Sequence, residues 1–319
     1  MSPNIISVGE LLVEIMRTEI AVSHSAVGAN YKGPFPSGAP AIFIDSAARM
    51  GKPFQFTTGH IGVVGEDEFG DCIINKLKHD GVDISQIRIS KEDHTGIAFN
   101  QYNLDGSRKF IFAPGAAREI SPPDIKKFYF KDIKNLHIMG SSLAISKKSR
   151  DACYKSIKIA QSQNPDVIIS FDPNLRPEMR DLDSMPKILE PVLENTEILL
   201  PSIQEAEILA GITNPVEACQ KLLELGPKLI VLKNGDKGCR IFSQDNVNGF
   251  NSGGFRVQEI DPTGAGDSFD GAFIVGYLAK WNMKKIAKFA NAVGALKVQY
   301  FGPMPDTSYK DVVNFMRKL

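Results

Sequence analysis

Near the end of the chain, Asp261-Pro262-Thr263-Gly264-Ala265-Gly266-Asp267 sets three small residues directly ahead of a carboxylate, and an apolar helical pattern follows. A turn needs one glycine. Two glycines around an alanine let another molecule touch the backbone. With a helix starting near Asp267, the N–H groups of Gly264, Ala265, Gly266 and Asp267 lack intrahelical partners. Together with the helix dipole they form an anion site. Phe273, Tyr277 and Trp281, at i, i+4 and i+8, give that helix an apolar stripe. A carboxylate beside an anion site suits phosphoryl transfer, where it orients or deprotonates the attacking hydroxyl. The simpler reading of Asp267 is an N-cap, worth about 1 kcal/mol, which leaves the two glycines unexplained. Two commoner phosphate motifs do not apply. "GPFPSGAP" (33–40) lacks the Lys-Ser/Thr of a Walker A loop. "GAGDSF" lacks the third glycine of the dinucleotide fingerprint and comes late in the chain.

The elements that position this stretch are legible in the second half. "NLHIMGSS" (135–142), "PDVIISFDPN" (165–174), "TEILLPS" (196–202) and "PKLIVLKNG" (227–235) are apolar runs ending in small or polar residues. Segments of helical length, 147–163 and 203–225, lie between them. This rhythm predicts βαβ units and a parallel sheet covered on both faces. Ligands of such sheets bind beyond the carboxyl ends of the strands. That places Ser141-Ser142, Asp172-Pro173-Asn174, Ser202 and Asn234-Gly235 on one edge. Residues 95–118 break the rhythm. Asp105-Gly106 between two extended runs predicts a hairpin, either a sheet edge or a flap over a substrate. Residues 10–36 supply further extended stretches.

Composition narrows the function classes. The chain has 319 residues, 43% hydrophobic and 23% charged, and Lys plus Arg balances Asp plus Glu. Zero net charge leaves no electrostatic footprint for nucleic acid or an anionic membrane. The four cysteines show no CxxC spacing, so zinc and thioredoxin chemistry are not expected. Nothing reads as a signal peptide or membrane span, and a cytoplasmic protein is expected.

Several segments resemble the ribokinase-like (PfkB) carbohydrate kinases. "DPTGAGDSFDGAF" (261–273) resembles the family's C-terminal signature, "SVGELLVE" (7–14) its first strand and "PSGAPAIFIDSAARMG" (36–51) its sugar motif. "GVVGEDEFG", "DPNLRP", "LPSIQEAEIL" and "LKNGDKG" follow in family order. The resemblance implies one α/β kinase domain over 1–319, with a mostly parallel central sheet flanked by helices. A small β-sheet lid would be drawn from about 10–36 and 95–118. It implies ATP as donor, with Asp267 as base and Gly264, Ala265 and Gly266 as the anion hole. Ser202 and Glu205 match a segment that approaches the triphosphate and its Mg2+, Glu205 through water. Most relatives carry Asn where Ser202 stands. Lys233, Gly235 and Gly238 match a loop bordering the nucleotide, and Asn291 an adenine-pocket position. Asp261 and Thr263 match a monovalent-cation site for K+. Plainer readings stay open: Glu205 as a solvated helix acid, Lys233 as a strand flank, Gly238 as a turn glycine. Lids pair in this family, which implies a homodimer through the lid.

The sugar is less defined. Gly38 and Ala39 would let it approach the backbone, and Glu14 matches an acid that binds sugar hydroxyls in several relatives. Ser37 replaces the usual first glycine, and Ile42 the usual Asn. Asp45 offers a substitute for that amide, although a surface acid is the simpler reading. Arg176 in "DPNLRP" resembles the arginine of 2-keto-3-deoxygluconate kinases and fructokinases. The former carry a Tyr-Arg pair in the lid, where this chain has Phe112 and Ala113. The missing arginine shifts the expectation to a neutral ketohexose, and "GPFPSGAPAIFID" (33–45) resembles tagatose kinases more than ordinary fructokinases, so a tagatose- or fructose-type ketohexose is expected, with 2-keto-3-deoxygluconate as the alternative. Phe99 and Phe112 would form an aromatic clamp for a nucleoside or pack on each other in the lid. A catalytically weak sugar-binding regulator is the remaining alternative, resting on Ser37, Ile42 and Ser202.

Overall fold

The computed structural model describes residues 2–104 and 107–318. Its strands are β1 (Ile5–Val8), β2 (Leu12–Arg17), β3 (Tyr31–Ser37), β4 (Thr58–Gly65), β5 (Val82–Ser90), β6 (Gly96–Tyr102), β7 (Arg108–Ala113), β8 (Asn135–Met139), β9 (Ile168–Asp172), β10 (Ile198–Leu199), β11 (Leu229–Lys233), β12 (Cys239–Ser243) and β13 (Asn246–Ser252). Nine of them form one sheet in the order β13-β12-β11-β10-β9-β8-β1-β4-β5. The run from β11 to β5 is parallel, and β12 and β13 add an antiparallel edge.

Strand alternation splits the core between the two faces of this sheet. Ile6, Val8, Leu136 and Ile138 pack on one face, under α3 (Gly140–Ile145) and α4 (Lys147–Gln163) among other helices. Ile5 and Met139 turn to the other face, under α1 (Ala39–Gly51), α8 (Ala265–Leu278) and α9 (Met283–Lys297). Each large apolar side chain buried in this way contributes roughly 1.5–3 kcal/mol. α2 (Glu68–Asp80) and α10 (Tyr309–Lys318) complete that side, and α5 (Met185–Leu193), α6 (Ile203–Ala210) and α7 (Pro215–Leu223) the first. The helix expected over 203–225 is thus two. Gly211, at φ 65°, closes α6, and Pro215 opens α7.

The remaining strands form a separate sheet, β3-β2-β6-β7. The extended segments on both sides of residue 100 therefore make the flap rather than an edge of the main sheet. β6 and β7 pair antiparallel from Ile97↔Ala113 to Tyr102↔Arg108. The Asp105-Gly106 turn itself lies outside the described residues. No helix among the described residues is long and apolar enough to cross a membrane.

Candidate active site

α8 starts at Ala265, two residues before the expected position. Gly264 is its N-cap at φ 78°, a left-handed conformation that costs other residues roughly 1–2 kcal/mol. A Cβ there would also meet the Pro303 carbonyl oxygen at 2.9 Å and Ile42 Cγ2 at 3.2 Å. Gly266 is different. A Cβ on it would have only Lys233 Nζ nearby, at 3.6 Å, so its bareness serves the cleft rather than the fold. One expected donor is lost. The turn closes on itself, and the Ala265 N–H donates to the Pro262 carbonyl at 3.2 Å. The N–H groups of Gly264, Gly266 and Asp267 keep no partner among the described residues. The apolar stripe also ends early. Phe273 is buried, but Trp281 lies past the end of α8, packed edge-on against Phe54 and Phe289.

Asp267 is 7% exposed, and its Oδ1 accepts from Asn174 Nδ2 at 3.3 Å. Burial, aided by the Asp172 charge, pushes its carboxyl up to about 6, against the pull of Arg176 and Lys233. Beside it, two buried aspartates share a partly buried lysine. Lys233 Nζ donates to Asp172 Oδ2 at 2.8 Å and to Asp270 Oδ2 at 3.0 Å. Two carboxylates sharing one ammonium divide the charge unequally. Burial raises both; Lys233 outweighs it at Asp172 and holds that group below the usual range, while Asp270 stays well above it. Lys233 therefore joins β9, β11 and α8 from below the turn.

Two cavities meet at this point. The larger, of about 840 Å3, runs over the ends of β9 to β11 and is lined by Ser202, Glu205, Lys233, Gly235, Gly238, Gly264, Ala265, Gly266 and Asn291. Every residue that the sequence assigns to nucleotide is thus in one place. Ser202 caps α6 in a reciprocal box: Glu205 Oε2 accepts from the Ser202 N–H at 2.8 Å and hydroxyl at 2.7 Å. Glu205 Oε1 accepts from the Leu175 N–H at 2.9 Å. With Asp172 and Asp236 on the same wall, the cavity offers hard oxygen donors that suit Mg2+. With both oxygens already bonded, Glu205 would meet a hydrated ion through water. Asn291 Nδ2 donates to the Ser252 and Gly253 carbonyls at 3.1 and 3.2 Å.

The smaller cavity, of about 40 Å3, lies between the main sheet and the lid. Glu14, Gly38, Ala39, Phe112, Arg176 and Asp267 line it, as the sequence suggests, together with Glu10, Phe110, Ser141 and Asn174. Gly38 holds φ 109° at the start of α1, where a Cβ would collide with the Glu10 carbonyl. Glu14 is buried. Its Oε1 accepts from Ser37 at 3.0 Å, Oε2 has no protein partner, and burial pushes its carboxyl up to about 7. Ser37, a departure from the family pattern, thus orients the acid. Glu10 accepts from Ser141 at 2.6 Å and Ser142 at 2.5 Å.

Three expectations are corrected here. Phe99 is not in the pocket. Side chains alternate along β6, so Ala98, paired with Phe112, is buried on the inward face with Leu12 and Ala117, while Phe99 turns outward and meets the Tyr31 ring edge-on at 5.7 Å. Asp45 neither faces the pocket nor the surface. It is fully buried and bonded to Arg49 at 2.8 Å, one helical turn away. The lid also does carry an arginine. Arg108, at the near end of β7, lines both cavities. Glu10, Arg108 and Asp270 were missed because nothing in their spacing marks them. The β1–lid connection brings in Glu10, the lid register Arg108, and the turn of α8 after Asp267 brings in Asp270.

Asp261 and Thr263 do not fit a monovalent cation. Asp261 Oδ1 accepts from the Thr263 N–H at 2.9 Å and from the Tyr102 hydroxyl. Its Oδ2 accepts from the Gly302 N–H at 2.7 Å, and its carbonyl from Lys297 Nζ at 2.6 Å. Thr263 Oγ1 lies 2.6 Å from the Tyr102 hydroxyl and 3.3 Å from Asn100 Nδ2.

The model of the pfkB family carbohydrate kinases matches residues 3–309. The chain is 30% identical over 313 residues to fructokinase-2 of Solanum lycopersicum, covering 94% of this chain and 92% of that protein. Fructokinase-1 of Oryza sativa subsp. japonica is 30% identical over 314 residues, at 94% and 93% coverage. Among solved structures, an E. coli protein designated ribokinase II, in complex with ATP and Mg2+, superposes with a TM-score of 0.90. It is 38% identical and covers 99% of this chain and all of that one.

Proposed function

This chain belongs to the pfkB family of carbohydrate kinases, and on that premise we propose that it transfers the γ-phosphoryl group of ATP to a hydroxyl of a tagatose- or fructose-type ketohexose. The single observation that carries this reading is the meeting of a large and a small cavity at Asp267, above bare backbone donors. In this reading Asp267 takes the proton of the acceptor hydroxyl. The hydroxyl oxygen bonds to the γ-phosphorus, the bond to the β-γ bridging oxygen breaks, and ADP leaves. The N–H groups of Gly264, Gly266 and Asp267 face the charge as it shifts. Ser202, Glu205, Lys233, Gly235, Gly238 and Asn291 line the nucleotide side. Mg2+, entering with ATP, would neutralise phosphate charge.

Glu10 and Glu14 offer acceptors to sugar hydroxyls, and the backbone N–H groups at Gly38 and Ala39, at the start of α1, offer donors. The identity to plant fructokinases supports a ketohexose. A second reading, 2-keto-3-deoxygluconate, is favoured by Arg108 and Arg176 in the small cavity, since paired guanidinium groups suit a carboxylate. We place the chain in the cytoplasm as one kinase domain, which its four free cysteines suit. The outward faces of Phe99 and Tyr31, with Ile111 half exposed, suit pairing of two lids. A coupled ADP-release screen over tagatose, fructose, psicose, ribose, 2-keto-3-deoxygluconate and inosine tests the function. Turnover strongest on a ketohexose is expected. Turnover strongest on the acid sugar transfers the assignment to the second reading, and tight sugar binding without ADP release leaves a binding protein.

A further inference from the structure

Resting on the kinase reading, we propose that Lys297 is a built-in cation, taking the place of the K+ that the family resemblance assigns to Asp261 and Thr263. A bound cation collects oxygen atoms that have no other partner. Here the Asp261 carboxylate and carbonyl and the Thr263 hydroxyl are all bonded to protein donors.

Lys297 is 1% exposed and Asp261 fully buried. Lysines are almost never buried this deeply unless paired. Lys297 Nζ donates to the Asp261 carbonyl at 2.6 Å and stands 3.6 Å from its Oδ2. Burial pulls the Lys297 ammonium down, opposed by the Asp261 and Glu14 charges. Burial would raise Asp261, but the Lys297 charge and three donated hydrogen bonds more than reverse it.

The same atoms hold the start of the anion-binding turn. Lys297 fixes the Asp261 peptide, and Asp261 fixes the Thr263 N–H, one residue before Gly264. The lid shares the node through Tyr102 at the end of β6. A tethered ammonium thus supplies both the charge and the position that a free ion would otherwise bring.

The test compares equal-ionic-strength KCl, NaCl and choline chloride on the full chain, reading melting temperature, Tl+ binding by NMR and ADP release. Wild type is expected to melt within about 1 °C in all three salts, because no ion binds the native state selectively. It should show no saturable Tl+ site and should turn over within about twofold across the salts. A saturable K+-specific rise in melting temperature, a Tl+ site, or about tenfold activation by K+ would overturn the proposal. Lys297→Ala, which empties the ammonium's place, is expected to acquire K+-specific stabilisation. A variant that folds, stays active and ignores K+ also overturns it. If the variant does not fold, the wild-type measurements decide. Failure of the kinase reading is distinguishable: no sugar is phosphorylated in any salt, while melting and Tl+ binding still report on Lys297.

Discussion

On one side of Asp267 the cleft holds about 840 Å3; on the other, about 40 Å3. Among the described residues, five border both spaces: Arg108, Asn174, Arg176, Gly264 and Asp267. The large side is walled mostly by strand ends, glycines and a helix start of the main-sheet body, with Arg108 reaching in from the lid. The small side is walled mostly by side chains, among them Leu12, Glu14, Ser37, Arg108, Phe110 and Phe112 of the separate sheet. In the proposed function the hexose sits on this small side, so displacement of the lid sheet would widen its entry. Backbone construction tolerates sequence change and resists motion. Side-chain construction does the reverse, which is where specificity can vary.

Substitutions at the border test this contrast most severely. Asp267→Asn should lower kcat by about 10³-fold or more, the scale of a lost base together with a disturbed anion site. ATP binding, read by calorimetry, should persist. Melting should rise. The stability that a carboxyl lifted from 3.8 to about 6 contributes at low pH is lost as pH climbs through about 6, a cost on the order of 3 kcal/mol at neutral pH. An amide avoids that cost. A variant that keeps most of its turnover means that Asp267 is not the base.

The two glycines separate fold from cleft. Gly266→Ala fits the unliganded chain, so melting should hold while activity falls by roughly 100-fold, as close approach of a phosphate is blocked. Gly264→Ala should lose both, with stability down by about 2 kcal/mol from φ strain. Equal melting of the pair would break the distinction.

On the small side, Glu14→Gln should raise KM for sugar by about tenfold and leave KM for ATP unchanged, because one weakened hydroxyl bond is worth roughly 1 kcal/mol. A matched rise in both would mean that the two spaces are not independent. In wild type, kcat/KM should rise with pH through about 6 as Asp267 ionises. A flat profile from pH 5 to 7.5 contradicts that assignment. Ser202→Ala should have the smallest effect, about 1 kcal/mol of stability from the lost cap, with activity nearly intact.

The same division explains what the sequence disclosed. The nucleotide side is local in the chain. βα periodicity placed the strand ends, small-residue spacing marked Gly264 to Asp267, and the residues that the family resemblance assigns to nucleotide all line one cavity. The detail that failed was a turn bond, Pro262 to Ala265, which spacing cannot encode. The small side depends on register. A one-residue alternation on β6 decides that Ala98 faces inward and Phe99 outward. Arg108 enters from the far end of a hairpin whose turn residues lie outside the described chain. Asp45 carries no local sign that Arg49 will hold it inside. Lys297, thirty residues past the signature, reads as one more helix lysine until α9 sets it against Asp261.

Glu10 and Glu14 are four residues apart, yet one is anchored to Ser141 and Ser142 beside the main sheet and the other rides on β2 of the lid. In the proposed function, displacement of the flap would pull the two acids offered to the sugar away from each other. The same displacement would take that pair of contacts apart and so loosen a phosphorylated product as its exit clears.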